Sequence, residues 1–182
     1  MSKPPYCARY CEENVYKLCS WLMEKGSDVD DLRVVFISNG DGQVALWQQR
    51  AARYPDDAVL WDYHVILLMR VDGRWKVRDQ DSSLGRGSKP VSVDLYVDET
   101  FLPLPRSVMD LAPKFRVVSA QEFLAEFASD RGHMQDPDGS WIAPPPDWPP
   151  IGTETNLFEF VDMEDGFLGQ VMTKEQLLAE YL

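Results

Sequence analysis

Trp61-Asp62-Tyr63-His64-Val65-Ile66-Leu67-Leu68-Met69-Arg70-Val71-Asp72-Gly73-Arg74-Trp75-Lys76-Val77-Arg78-Asp79-Gln80-Asp81 is the stretch around which the chain is organised. Its two extended runs are joined by an Asp-Gly pair, the strongest short signal for a two-residue hairpin. Both central residues of a type I′ turn need positive φ, which Gly and Asp tolerate. With Val71 facing Arg74, His64 falls opposite Asp81 and Ile66 opposite Asp79. Side chains alternate faces along a strand, so His64, Asp79 and Asp81 share one face, and by the same parity Asp62 joins them. One carboxylate then sits directly across from the imidazole and another on its diagonal. This is an orienting acid beside a base, with the ladder favouring Asp81 as the direct partner, and it lacks a nucleophile.

The first helix supplies a candidate. Val15, Leu18, Cys19 and Leu22 follow the i, i+3, i+4, i+7 spacing of a buried stripe, predicting a helix over Cys11 to Lys25 that stops at Gly26. Cys11 lies one turn ahead on the same stripe, which puts its thiol at the helix N-terminus and pointing inward. Unpaired backbone N–H groups there favour a thiolate. Glu12 and Glu13 oppose that by their own charge, so strong activation calls for a histidine partner.

Outside these two stretches, Arg33 to Ile37 reads as a buried strand, followed by a turn at 39–42 and a strand over Val44 to Trp47. Lys89 to Phe101 has Val93, Val97 and Phe101 at helical spacing. Phe115 to Val118 reads as a strand, and Ser119 with Glu122 as a capping box opening a helix. Residues 129–152, rich in Pro, Gly, Asp and Trp, read as a long ordered loop whose Trp141 and Trp148 want burial. Phe167 to Met172 reads as the last strand, and Thr173 with Gln176 as the capping box of the final helix. The order predicts an α+β chain over residues 1–182, one domain with a mainly antiparallel sheet flanked by helices.

Nearly half of the 182 residues are apolar, and the formal net charge is −12. That field repels phosphate backbones, and no basic, aromatic-interleaved patch offsets it, which argues against nucleic acid as a partner and suits a cationic ligand such as a free peptide N-terminus. No apolar run approaches membrane-spanning length, and no signal-peptide core is visible. Cys7, Cys11 and Cys19 are odd in number and lack CxxC pairing, so reduced thiols in a cytosolic compartment are expected instead of a disulfide framework. No coiled-coil or apolar interface segment appears, which makes a monomer the expectation.

A thiol at a helix start, with a histidine and an acid on adjacent strands, can perform nucleophilic acyl transfer. The base frees the thiolate, and the acid fixes the base's tautomer. The same residues allow plainer readings: a cysteine on an apolar stripe is more often inert core, and an Asp near a turn usually caps it. Cys7 and Cys11 with a histidine could ligate zinc, but the paired short spacings are absent, and no metal or cofactor is expected. His133, in loop-like sequence, is the other imidazole, with a surface or hydrogen-bonding role as its default.

Several segments together resemble the protein N-terminal glutamine amidohydrolases: Tyr10-Cys11-Glu12-Glu13-Asn14, Val35-Phe36-Ile37-Ser38-Asn39, Trp47-Gln48-Gln49, Trp61-Asp62-Tyr63-His64-Val65, Lys114-Phe115-Arg116-Val117 and Phe127-Ala128-Ser129-Asp130-Arg131-Gly132-His133-Met134, with Pro144-Pro145-Pro146 and Asn156-Leu157. The likeness runs in order over nearly the whole chain. It implies a transglutaminase- or papain-like α-β-α sandwich with a catalytic triad of Cys11, His64 and Asp79, so the resemblance prefers Asp79 where the ladder prefers Asp81. It further implies conversion of N-terminal glutamine on proteins or peptides to glutamate with release of ammonia, feeding the arginylation branch of the N-degron route in the cytoplasm or nucleus. Terminal specificity calls for an acceptor for the α-ammonium, with Glu12, Asp62 and Asp81 as candidates. Two rivals stand beside this reading: another thiol acyl-transfer enzyme of the same fold, such as a protease or transglutaminase, and a non-catalytic module that binds N-termini or another protein.

Overall fold

A computed structural model describes residues 3–87, 89–164 and 166–182. Its centre is a six-stranded sheet in the order β6-β5-β4-β1-β7-β8, antiparallel throughout. In chain order the strands are β1 (Leu32–Ser38), β2 (Val44–Leu46), β3 (Val59–Trp61), β4 (His64–Val71), β5 (Arg74–Arg78), β6 (Val91–Ser92), β7 (Lys114–Ser119) and β8 (Gln170–Met172). The helices are α1 (Cys11–Glu24), α2 (Val93–Thr100), α3 (Ala120–Glu126), α4 (Leu157–Val161) and α5 (Lys174–Tyr181). Strands β2 and β3 form a separate ribbon.

The two central strands are buried almost end to end, which is why they read as apolar runs and not as alternating ones. Their alternate residues feed two cores. Val34, Phe36, Val65, Leu67 and Met69 pack under Val15, Leu18, Cys19 and Leu22 of α1 and under Phe123 and Phe160. Val35, Ile37, Ile66 and Leu68 pack under Val93, Tyr96 and Val97 of α2 and Leu177 of α5. The result is the expected antiparallel sheet between helical layers. Phe36 stacks on Phe160 at 5.0 Å and meets Phe123 edge-on at 5.7 Å, so truncating it would cost about 3–5 kcal/mol.

The hairpin turn forms as its sequence dictates. Asp72 and Gly73 have φ of 52° and 75°, and the ladder runs from Val71↔Arg74 to Leu67↔Arg78. Beyond Arg78 the two strands part, and that gap accommodates the site described below.

Several boundaries depart from expectation. Val91 and Ser92 pair with Val77 and Lys76 as an edge strand, so α2 begins at Val93, four residues past Lys89; β-branched Val91 following a proline suits extended backbone. Trp61 belongs to the small ribbon, opposite Val44, and a bend at Asp62 separates it from β4. Asp62 therefore does not share the His64 face by strand parity. The last strand spans only Gln170–Met172, and Gly169 just before it, at φ 79°, runs so close to β7 that a Cβ would overlap the Val117 carbonyl. Helix α4 carries no strong periodic signal in so short a segment. Both capping serine/threonine contacts form, with the full reciprocal box only at Thr173 and Gln176.

Two buried cations lock the irregular segments to this frame. Arg116 on β7 is 1% exposed and donates to the carbonyls of Phe160, Asp162, Glu164 and Leu168, satisfying a guanidinium in the interior while fixing the chain after α4. Arg131 donates to both carboxylate oxygens of Glu13 at 2.7 and 2.8 Å, and the Trp148 indole N–H donates to Glu13 Oε2 at 2.7 Å. The proline-rich loop is thereby clamped onto the first turn of α1. Trp148 is half-buried as expected, whereas Trp141 stays 40% exposed, because this loop is held by its polar anchors and not by that indole.

Candidate active site

Cys11 is the first residue of α1 and His64 the first of β4. Tyr10 precedes the helix without capping it through its side chain. The entering chain is instead held by Asn14, whose amide accepts from the Cys7 N–H and donates to the Cys7 carbonyl, both at 2.7 Å. Helix α1 packs against β4, so the thiol and the imidazole line one cavity where the sheet opens.

Asp79 follows the last residue of β5. Its Oδ1 is 3.0 Å from His64 Nε2. The approach is close but off the N–H axis, so the contact is an ion pair more than an aligned hydrogen bond. The diagonal partner is therefore the one in contact, made possible by the parting of the strands after Arg78. Asp81 is near as well: nitrogen and carboxylate oxygens of His64, Asp79 and Asp81 lie within 4.8 Å of one another.

Asp79 is fixed from three other directions. Its Oδ1 accepts from the Asp81 backbone N–H at 2.9 Å, and its Oδ2 accepts from the Tyr96 hydroxyl at 2.9 Å and from Gln49 Nε2 at 3.5 Å. Burial alone would push this carboxyl up, but the imidazole charge and these donors outweigh it and hold the group below its ordinary value. Tyr96 and Gln49 escaped sequence reasoning. The Trp47-Gln48-Gln49 segment was part of the family resemblance, but nothing in spacing ties it to Asp79.

His64 is 2% exposed and stacks against Trp61 with ring centroids 6.2 Å apart. Burial pushes its pKa down, yet Asp79, by charge and contact, and then Asp81 and Glu12 carry it above the ordinary value. The Cys11 thiol is pushed well up, first by burial and then by the charges of Glu12 and Asp81; the Val65 backbone N–H pulls the other way. Its S–H donates to Glu12 Oε2 at 3.5 Å.

A cavity of roughly 310 Å³ opens onto these groups, at the lower end of the ~300–1,000 Å³ common for small-ligand clefts. Cys11 and His64 line it, with Trp61, Asp62, Tyr63 and Asp81 on one side and His133, Met134 and Ile142 of the proline-rich loop on another. Of the three candidate substrate-binding acids, Asp62 and Asp81 reach the cavity. Glu12 does not: it is fully buried behind the wall, where Oε2 accepts from the Tyr63 hydroxyl at 3.1 Å and Oε1 lies 3.6 Å from His133 Nε2. Helical geometry turns residue 12 away from the face that Cys11 presents. His133 itself is no surface residue. It lines the cavity and lies 3.3 Å from the Tyr63 hydroxyl, so the hydrogen-bonding half of its default role holds.

By spacing, His64, Asp79 and Asp81 are the group that could hold a metal ion among the described residues. Their atoms already serve the His64–Asp79 pair, and the Tyr6 hydroxyl donates to Asp81 Oδ1 at 2.5 Å. Cys7, Cys11 and Cys19 are all free thiols, and Cys7 donates to the Pro144 carbonyl at 3.7 Å.

Fold and site together define a class: a helix–sheet–helix sandwich whose cavity is lined by a helix-start thiol and by an imidazole paired with a carboxylate on the opened sheet. The profile of the N-terminal glutamine amidase family matches residues 6–181. A protein N-terminal glutamine amidohydrolase of Arabidopsis thaliana is 46% identical over 164 residues, covering 85% of this chain and 73% of the relative. One of Drosophila mojavensis is 42% identical over 170 residues, covering 88% and 80%. This chain belongs to the N-terminal glutamine amidase family.

Proposed function

We propose that this protein hydrolyses the side-chain amide of N-terminal glutamine in proteins and peptides, using Cys11 as nucleophile, His64 as general base and acid, and Asp79 to position His64. The observation that carries the reading is that Cys11 and the His64 of a buried His64–Asp79 pair line one cavity sized for one residue, in a chain of this family.

The chemistry follows from the placement. His64 turns Nε2 to Asp79, which leaves Nδ1 for the thiol. The imidazole takes the Cys11 proton, and the thiolate attacks the carboxamide carbon. Backbone N–H groups at the start of α1, that of Cys11 among them, would hold the oxyanion. Collapse breaks the C–N bond as His64 returns its proton to the leaving ammonia. Water then attacks the thioester with His64 again as base, releasing glutamate and the thiol. The sum is one amide and one water consumed, one carboxylate and one ammonium formed. A thiol held high at rest limits stray reactivity, and the pair with Asp79 stabilises the imidazolium that forms at each proton transfer. The new N-terminal glutamate would enter arginylation and degradation in the cytoplasm or nucleus, with the protein acting as a monomer.

The test is a Gln-initiated peptide, followed by mass spectrometry and ammonia release. Wild-type protein is expected to convert it, with Cys11→Ala inactive and the N-acetylated peptide untouched. Activity that survives Cys11→Ala would remove the thiol from the mechanism. Peptide cleavage or amine incorporation would point to another acyl transfer.

A further inference from the structure

We propose that Asp81 receives the α-ammonium of the substrate's first residue and thereby makes a free N-terminus a condition of turnover. The proposal rests on the deamidase reading above. With the glutamine carboxamide carbon at Cys11 Sγ, the α-nitrogen lies four bonds away, roughly 5 Å when extended, from bond lengths of about 1.5 Å. An acceptor must therefore stand beside the triad and open into the same cavity.

The carboxylates on the cavity lining are Asp62 and Asp81. Asp62 is exposed, and its Oδ1 already accepts from the Tyr63 N–H at 3.0 Å; water competes for any cation there, so such a contact is weak. Glu12 is sealed behind the wall, and Asp79 is committed to His64, Tyr96 and the Asp81 N–H. Asp81 is half-buried on the lining and within 4.8 Å of His64. The Tyr6 hydroxyl holds its Oδ1 at 2.5 Å, which fixes the carboxylate without neutralising it. Tyr6 is held in turn by the Arg50 guanidinium over its ring at 5.4 Å, and the Pro5 carbonyl accepts from Gln80 Nε2 at 3.3 Å.

What Asp81 lacks is a cation in direct ion-pair contact. The ion pairs among the described residues go to Asp79, Asp31, Glu13 and Glu12, and none to Asp81. Burial, helped by the Asp79 charge, raises its pKa by more than the charges of His64 and Arg50 and the Tyr6 bond lower it, the sign of a carboxylate short of solvation, and an ammonium in the cavity would add a direct counter-charge. The same contact would act on the nucleophile. The Asp81 charge is one of the influences holding the Cys11 thiol up, so an ammonium seated there eases thiolate formation once a free N-terminus has entered. An internal glutamine brings no such charge.

The test compares a Gln-initiated peptide with its desamino analogue, identical but for the missing α-amino group, on wild type, Asp81→Asn and Asp62→Asn. Wild type is expected to favour the amine-bearing peptide strongly in kcat/KM. Asp81→Asn should shrink that preference about 10- to 100-fold, chiefly through KM, while Asp62→Asn leaves it within a few-fold. The same peptides are titrated calorimetrically against Cys11→Ala and Cys11→Ala/Asp81→Asn, so that the comparison stands even where turnover is too slow to measure. A preference unchanged by Asp81→Asn in both measurements, or one lost in Asp62→Asn instead, overturns the assignment. Wild type that leaves the Gln peptide intact refutes the deamidase reading itself, a separate outcome.

Discussion

Two histidine–carboxylate pairs flank Cys11, and they differ in how each carboxylate is held. His64 and Asp79 approach to 3.0 Å, and Asp79 takes further bonds from the Asp81 N–H, Tyr96 and Gln49. His133 and Glu12 stand 3.6 Å apart, and Glu12 spends its other oxygen on the Tyr63 hydroxyl and the Cys11 thiol itself. A carboxylate braced by several donors can hold an imidazole steady through repeated proton transfers. One that already accepts the thiol proton opposes thiolate formation. Under the proposed mechanism the first pair serves as base and orienter, whereas the second forms part of the wall and restrains the Cys11 thiol.

Breaking the first pair should therefore cost far more than breaking the second. His64→Ala is expected to lower kcat by about 10⁴-fold or more, measured by ammonia release from a Gln-initiated peptide. Asp79→Asn should lower it about 10²–10⁴-fold and also move the acid limb of the pH profile. His64 must be neutral to accept the thiol proton, so activity falls as pH drops through its pKa. That pKa is raised mainly by Asp79, which places the wild-type limb above the ordinary histidine value and the Asp79→Asn limb below the wild-type one. Tyr96→Phe, which removes one donor to Asp79, should reduce kcat by roughly tenfold and let the Asp79 pKa rise part of the way back toward its ordinary value. Smallest is Glu12→Gln, expected to change turnover by less than about tenfold while speeding iodoacetamide alkylation of Cys11 at fixed pH, because a charge that raises the thiol pKa is gone. A slower alkylation would reverse the role given to Glu12.

The first pair was legible in the sequence because local rules govern it. Asp72-Gly73 fixes the turn, the turn fixes the register, and the register places His64, Asp79 and Asp81 together. What the ladder could not choose was the partner, since the two-residue turn formed as expected and still the diagonal residue makes contact. That choice depends on where the strands part, which follows from packing against α2 and from Tyr96, some way along the chain. The second pair was not legible at all. Glu12 and His133 are joined by the clamp of Arg131 on Glu13, a contact spanning most of the chain with no periodic trace. For the same reason Glu12 looked like a substrate ligand from its place beside Cys11, although the turn of the helix buries it. Short elements such as β3, β6 and α4 were missed because a few residues carry too little periodicity to stand out.

The most direct measurement is ammonia release from one Gln-initiated peptide by His64→Ala and His133→Ala assayed side by side with wild type. With His64 as the base, His133→Ala should keep turnover within about tenfold of wild type, while His64→Ala should fall to background. Activity retained in His64→Ala and lost in His133→Ala would contradict that assignment and make the Glu12 pair the working one.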